Sequence, residues 1–150
     1  MMTRYWALLA SYVSGDGDLT RDSGVRFYDC ERDTLDVIRK TVSEKLEYKF
    51  PRPSFQLNQY GRGEWVIKTR HSAVHFILTE FYRIPIGRKK RGASLLLPIV
   101  SKNTEVKRAA IAGSISSDGY VSSYKSEGRF IPTIGVLSTV SAMNKFSDCC

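Results

Sequence analysis

The chain is 150 residues long, enough for one domain or two very small ones. With 42% hydrophobic and 25% charged residues it is not a disordered polymer, and no apolar run reaches the ~18 residues of a membrane-spanning helix. A net charge of +8 points to a polyanionic partner ahead of acidic small molecules.

The opening MMTRYWALLASYVSG is mostly apolar, but it runs straight into an acidic loop and has no small-x-small cleavage site. It therefore reads as a helix over about 4–15, not as a secretory signal, and the chain is expected to be soluble and intracellular (cytoplasm, nucleoid or organelle). A short hairpin follows, Asp18–Arg21 and Val25–Asp29 about Asp22-Ser23-Gly24. Leu35, Ile38, Val42 and Leu46 recur at helical spacing and predict a helix over 33–47, which Pro51 and Pro53 break. A second hairpin is expected at Ser54–Tyr60 and Glu64–Arg70 about Gly61-Arg62-Gly63, then a third helix over roughly 71–82.

Alternation along the second hairpin sorts its side chains. Phe55, Leu57, Trp65 and Ile67 take one face; Ser54, Gln56, Asn58, Glu64, Val66, Lys68 and Arg70 take the other. The second face is built mainly of Gln, Asn, Lys and Arg and is poor in acids. Such side chains suit base edges in a major groove, Arg or Lys pairing with guanine and Gln or Asn with adenine. A plain solvated ribbon is the alternative. Arg26 and Tyr28 alternate outward in the first hairpin, and Tyr120, Ser122, Tyr124, Lys125 and Arg129 offer a similar set near the end of the chain. The candidate DNA contacts are thus Arg21, Arg26, Tyr28, Gln56, Asn58, Arg62, Lys68, Arg70, Lys89, Lys125 and Arg129.

The basic surplus is concentrated. Residues 83–108 hold eight bases against one acid, whereas 16–47 hold nine acids against six bases, so the later segment is the stronger candidate for a phosphate-facing side. Cys30, Cys149 and Cys150 give neither a disulfide framework nor a CxxC pair, and two histidines are too few for a structural zinc site. Asp16, Asp18 and Asp22 form D-x-D-x-x-x-D, but an EF-hand needs Gly and Glu where Arg21 and Phe27 stand, which excludes that loop.

The chain also repeats itself. Residues 7–20, ALLASYVSGDGDLT, and 109–122, AAIAGSISSDGYVS, share five of fourteen positions at an offset of 102, and most others match in character. Each copy runs from an apolar helical stretch through Asp-Gly into a strand. Ala10, Ser11 and Ser14, and Ala112, Gly113 and Ser116, offer low-profile stripes through which two helices can pack closely. Gly17 and Gly119 are expected to end the helices in a left-handed conformation. Asp16 and Asp118 then sit at helix C-termini, where the dipole disfavours a carboxylate, and two of them side by side call for a divalent cation.

LASYVSGDG at 9–17 and IAGSISSDG at 111–119 resemble the two signature motifs of the LAGLIDADG homing endonucleases. The departure lies at the sixth position, often Asp in that family and here Ser14 and Ser116, a variable position not usually a metal ligand. The resemblance implies an α+β fold: an αββαββα unit with an antiparallel DNA-binding saddle sheet over residues 1–100, then a truncated second repeat over 101–150, the two packed through the motif helices. It implies hydrolysis of phosphodiester bonds in double-stranded DNA with Mg²⁺ or Mn²⁺, held by Asp16 and Asp118 with the carbonyls of Gly15 and Ser117. The stretch GRKKRGASLLLP at 87–98 resembles the family's Gly-x-Lys-Ser segment, which nominates Lys90 as the catalytic lysine, with Lys89 in reserve. The terminal Asp148-Cys149-Cys150 does not match intein splicing residues.

After Asp118 only the motif's first hairpin and the start of a helix, SAMNKFSDCC, remain. The chain is then a fragment, the product of a shortened gene, or half of a fold that a second chain completes, and alone it is expected to bind a DNA half-site better than it cuts a whole one. No membrane partner is expected. The alternative functions are a non-cleaving binder of the same fold, an RNA maturase or transcription regulator, and a basic protein-binding scaffold.

Overall fold

The computed structural model describes residues 3–87 and 101–136, and the fold is α+β with antiparallel sheets. Helix α1 spans Arg4–Asp16; Thr3 caps it, its hydroxyl accepting from the Trp6 amide. Trp6, Ala7, Leu9, Ala10, Ser11, Tyr12 and Val13 are all buried. A helix covered on nearly every side must be central, and α1 is.

On one side of α1 lies a four-stranded sheet of order β1-β2-β4-β3, with β1 at Gly17–Leu19, β2 at Gly24–Asp29, β3 at Ser54–Leu57 and β4 at Gly63–Arg70. Helix α2, Arg32–Leu46, closes the inner face of that sheet and ends with Glu47 in the left-handed region. Leu35, Ile38 and Val42 of α2 join Leu9, Val13, Leu19, Val25, Phe27 and Ile67 in one core. Each such side chain contributes about 1.5–3 kcal/mol relative to exposure.

The predicted helix over 71–82 is interrupted. Helix α3 runs Ser72–Phe76 and continues as a π turn over Ile77–Phe81. The Thr79 hydroxyl donates to the carbonyls of His75 and Phe76, an alternative to the regular ladder that accompanies the widened turn. The predicted strand over Ser54–Tyr60 stops at Leu57. Asn58 turns the chain instead: its Oδ1 accepts from the amides of Tyr60 and Arg62, its amide donates to the Arg62 carbonyl, and Gly61 follows at φ +72°.

Helix α4, Thr104–Asp118, packs on the other side of α1 and leads into a two-stranded sheet, β5 at Gly119–Ser126 and β6 at Arg129–Val136. Asn103 caps α4 through its Oδ1, which accepts from the amides of Glu105 and Val106. Glu127 and Gly128 both take positive φ, as a two-residue hairpin of matching twist requires.

The expected stripe on α4 is corrected. The buried residues of α4 are Val106, Ala110, Gly113 and Ser114, whereas Ala112 and Ser116 are exposed. The buried residues recur at three-and-four spacing from Val106 through Ala110 to Gly113 and Ser114, and Ala112 and Ser116 lie together on the flank turned away from them. The expected left-handed ends are corrected too. Gly17 (φ −132°, ψ 171°) and Gly119 (φ −81°, ψ 152°) are extended. What demands glycine at residue 17 is room, because a Cβ there would stand 2.7 Å from Val13 Cα and 2.8 Å from the Arg26 carbonyl.

The β5–β6 hairpin has no helix over its second face among the described residues: Phe130 and Ile134 are 74% and 64% exposed on the side equivalent to the one where Val25 and Phe27 are buried. No helix among the described residues is long and apolar enough to cross a membrane.

Candidate functional site

Helices α1 and α4 run in parallel, and residues of the two repeats meet their own counterparts. A Cβ on Gly113 would stand 3.0 Å from Ser11 Cβ and 2.5 Å from the Leu8 carbonyl oxygen. A Cβ on Gly15 would meet the Ser117 hydroxyl and stand 2.7 Å from Oδ2 of Asp118. Arg4 and Glu105 close the other end with an ion pair at 3.5 Å. The sequence offset of 102 is therefore a spatial pairing, and it brings the carboxylate of Asp118 over Gly15, one residue from Asp16. Both acids are half-buried.

The donor set at this end suits a hard divalent cation. Two carboxylates stand at the negative ends of two helices, where the backbone carbonyls of Gly15 and Ser117 also lie. Among the described residues no group of three or more Asp, Glu, His or Cys side chains is gathered for a metal, so any such site draws on these two acids and backbone oxygens.

Tyr12 fixes α1 to the sheet. Its hydroxyl donates to Oδ2 of Asp29 at 2.8 Å and to the Tyr28 carbonyl at 3.0 Å, while Asp29 Oδ1 accepts from the Glu31 amide at the start of α2. Burial, then the Asp29 carboxylate, pushes the Tyr12 hydroxyl far above its ordinary value. Nothing in the sequence pattern singled out this Tyr12–Asp29 link, which lies one helical turn before Asp16.

Beside Asp16 the outer sheet face opens. A concavity of about 230 Å³ is lined by Asp16, Tyr28, Asp29, Asn58, Arg62 and Glu64, among others. A second, about 340 Å³, lies among Asp22, Gly24, Arg26, Lys68 and Arg70. The register places Arg26 opposite Lys68, Tyr28 opposite Val66 and Gln56 opposite Glu64, so Arg26, Tyr28, Gln56, Lys68 and Arg70 share this face as the alternation predicted. Arg21 and Arg62 are exposed in the flanking turns.

The expectation that this face is poor in acids fails. Pairing β1 against β2 adds Asp18, and the turn adds Asp22. Arg26 grips Asp18 through two bonds, Nε to Oδ1 at 2.7 Å and Nη2 to Oδ2 at 2.8 Å. Arg70 Nη2 reaches Asp22 Oδ2 at 2.7 Å. Lys68 donates to Gln56 Oε1, whose amide donates in turn to Glu64. A turn centred on Asp22, one residue earlier than expected, would have revealed the Asp18–Arg26 pair.

Two further candidates differ from expectation. Asn58 spends its carboxamide oxygen on its own turn. Lys125 is adjacent to Tyr124 in β5 and so points to the opposite face from Tyr120, Ser122, Tyr124 and Arg129, alongside Phe130 and Ile134. Lys89 and Lys90 lie outside the described residues, as do Cys149 and Cys150; Gly87, the last described residue of that segment, donates its amide to the Leu19 carbonyl at 2.6 Å. Cys30 is free and exposed. No protein-family model matches the chain, and no curated protein matches it.

Proposed function

We propose that this chain is a metal-dependent DNA endonuclease of the LAGLIDADG type, with αββαββα architecture in its first repeat. The observation that supports the reading is the closeness of Gly15 to Ser117 and Asp118, which sets the acid of one repeat against the helix end that carries the acid of the other. A protein that only bound nucleic acid would gain nothing from carboxylates at helix C-termini next to a polyanion.

Asp16 and Asp118, with the carbonyls of Gly15 and Ser117, would hold Mg²⁺ or Mn²⁺, which supplies Lewis-acid activation of water and stabilises the leaving oxygen. The chain's own side chains do the rest. Lys68, Arg70, Arg21 and Arg62 attract and seat the phosphate backbone, and Arg26, Gln56 and Tyr28 present hydrogen-bonding groups to base edges. The Tyr12–Asp29 link holds α1 at a fixed height on the sheet, so that Asp16 keeps its position relative to the bound duplex. Lys90, by its resemblance to the family's lysine, would offset charge on the pentavalent phosphate.

The test is nicking of supercoiled plasmid DNA by the purified chain with and without Mg²⁺, beside Asp16→Asn. Metal-dependent nicking that the variant abolishes supports the nuclease. DNA binding with no strand breakage under either condition would replace it with a non-cleaving binder.

A further inference from the structure

We propose that Arg26 reads a guanine and that Asp18 is the positioning residue that aims it; the inference rests on the DNA-binding reading above. A guanidinium carries five N–H donors. Asp18 engages one edge of it, Nε and Nη2, with both carboxylate oxygens. Of the three N–H that remain, one on Nη1 and one on Nη2 point side by side along the free end, and among the described residues no other hydrogen-bond acceptor is recorded for Arg26. Two parallel donors at one end match O6 and N7 of guanine in the major groove. Adenine puts a donor where O6 would be, and cytosine offers a donor at its groove edge, so both are refused.

The surroundings fit a base edge better than a phosphate. Arg26 stands in the middle of the sheet face, opposite Asp18 on one side and Lys68 on the other, and lines the 340 Å³ concavity together with Thr20, Gly24 and Thr69. The two side chains are only 36% and 30% exposed, so they hold each other in place before DNA arrives. Prior ordering of a long side chain lowers the entropy lost on binding. It also gives a reason for a carboxylate on a face meant for DNA, since its charge is matched by the group it orients.

Arg70 supplies an internal contrast. It makes a single contact to Asp22, and the pair is 79% and 54% exposed. Asp22 also accepts from the Thr20 hydroxyl, so it does not hold the Arg70 fork by an edge. Asp22 is therefore assigned no positioning role.

The experiment selects binders of the full chain from a randomised double-stranded DNA pool without divalent metal, for the wild type, Asp18→Asn, Asp18→Glu, Asp22→Asn and Arg26→Gln. Thermal melting shows whether each variant is folded. The wild-type pool should contain one position dominated by guanine. Asp18→Asn should relax that position by about tenfold while leaving the others intact. Asp18→Glu should restore part of it, Arg26→Gln should shift it to adenine, and Asp22→Asn should leave it unchanged. Replacing that guanine by 7-deazaguanine, which lacks the N7 acceptor, should weaken the wild type about tenfold and Asp18→Asn much less. A wild-type motif in which Asp18→Asn alters no position, or alters all equally, overturns the proposal and leaves DNA binding standing. Absence of any DNA binding by the wild type overturns the underlying reading and this proposal with it.

Discussion

A methyl group on Gly15 would stand 2.7 Å from Oδ2 of Asp118, so the end of one repeat helix and the acid of the other share a single small space. The same closeness recurs a turn earlier, where Gly113 lies against Ser11 and the Leu8 carbonyl. Helices this close leave no slack for added atoms.

Gly113→Ala should therefore destabilise the chain by about 1–3 kcal/mol, because the new methyl must displace the Leu8 backbone and not a flexible side chain. Ser116→Ala, on the exposed side of α4, should change stability by less than about 0.5 kcal/mol. Chemical denaturation of both variants checks the pair. Equal effects would place the helix interface elsewhere.

Two buried tyrosines should answer oppositely to losing their hydroxyls. Tyr12→Phe removes a donor from Asp29 and the Tyr28 carbonyl, and should cost about 1–2 kcal/mol. The Tyr82 hydroxyl is buried with no partner among the described residues, so Tyr82→Phe should be neutral or mildly stabilising.

Alkaline pH separates the same two variants from the wild type. Burial pushes the Tyr82 hydroxyl up to about 12, whereas in the unfolded chain it titrates near 10. The folded state thus holds a proton that the unfolded state has lost, and stability must fall as pH rises from about 10 to 12. Tyr12 adds to the fall in the same direction, since its hydroxyl too is raised. Denaturation midpoints measured between pH 8 and 12 should decline less steeply in Tyr82→Phe. An unchanged slope would mean that Tyr82 is not the titrating group.

The repeat, the helices about 4–15 and 33–47 and the placement of two hairpins were legible because each rests on periodicity or on a local turn signal. α1 and α2 end within a residue of where the apolar spacing put them, at Asp16 and Leu46. What the sequence hid depends on register and packing. The Asp18–Arg26 pair turns on a shift of one residue in the hairpin centre, and Asn58 ends its strand because its side chain bonds its own turn. Gly17 looked like a left-handed cap, yet it is extended and glycine only for want of space. Lys125 follows Tyr124 in β5, and adjacent strand residues face opposite ways, so the two do not share a surface. The face that α4 offers to α1 depends on which of two small-residue stripes wins, and Gly113 belongs to both by composition.

Arg21 and Arg62 sit exposed in turns bordering the polar face, where they suit phosphates and not base edges. Arg21→Ala and Arg62→Ala should each weaken DNA binding to a similar degree on all sequences and reduce the dependence of log affinity on log salt by about one unit. Fluorescence anisotropy with two unrelated duplexes over a salt series checks this. A loss confined to one duplex would make the arginine a base reader.

The most direct test of the account is metal-dependent nicking of supercoiled plasmid by the wild type, Asp16→Asn, Asp118→Asn and the double variant, with DNA binding measured alongside. The account predicts nicking in Mg²⁺ that falls by at least about a hundredfold in every variant carrying Asp16→Asn, that also falls in Asp118→Asn, and that leaves DNA affinity within a few-fold of wild type or raised. Nicking at the wild-type rate in the double variant would contradict it.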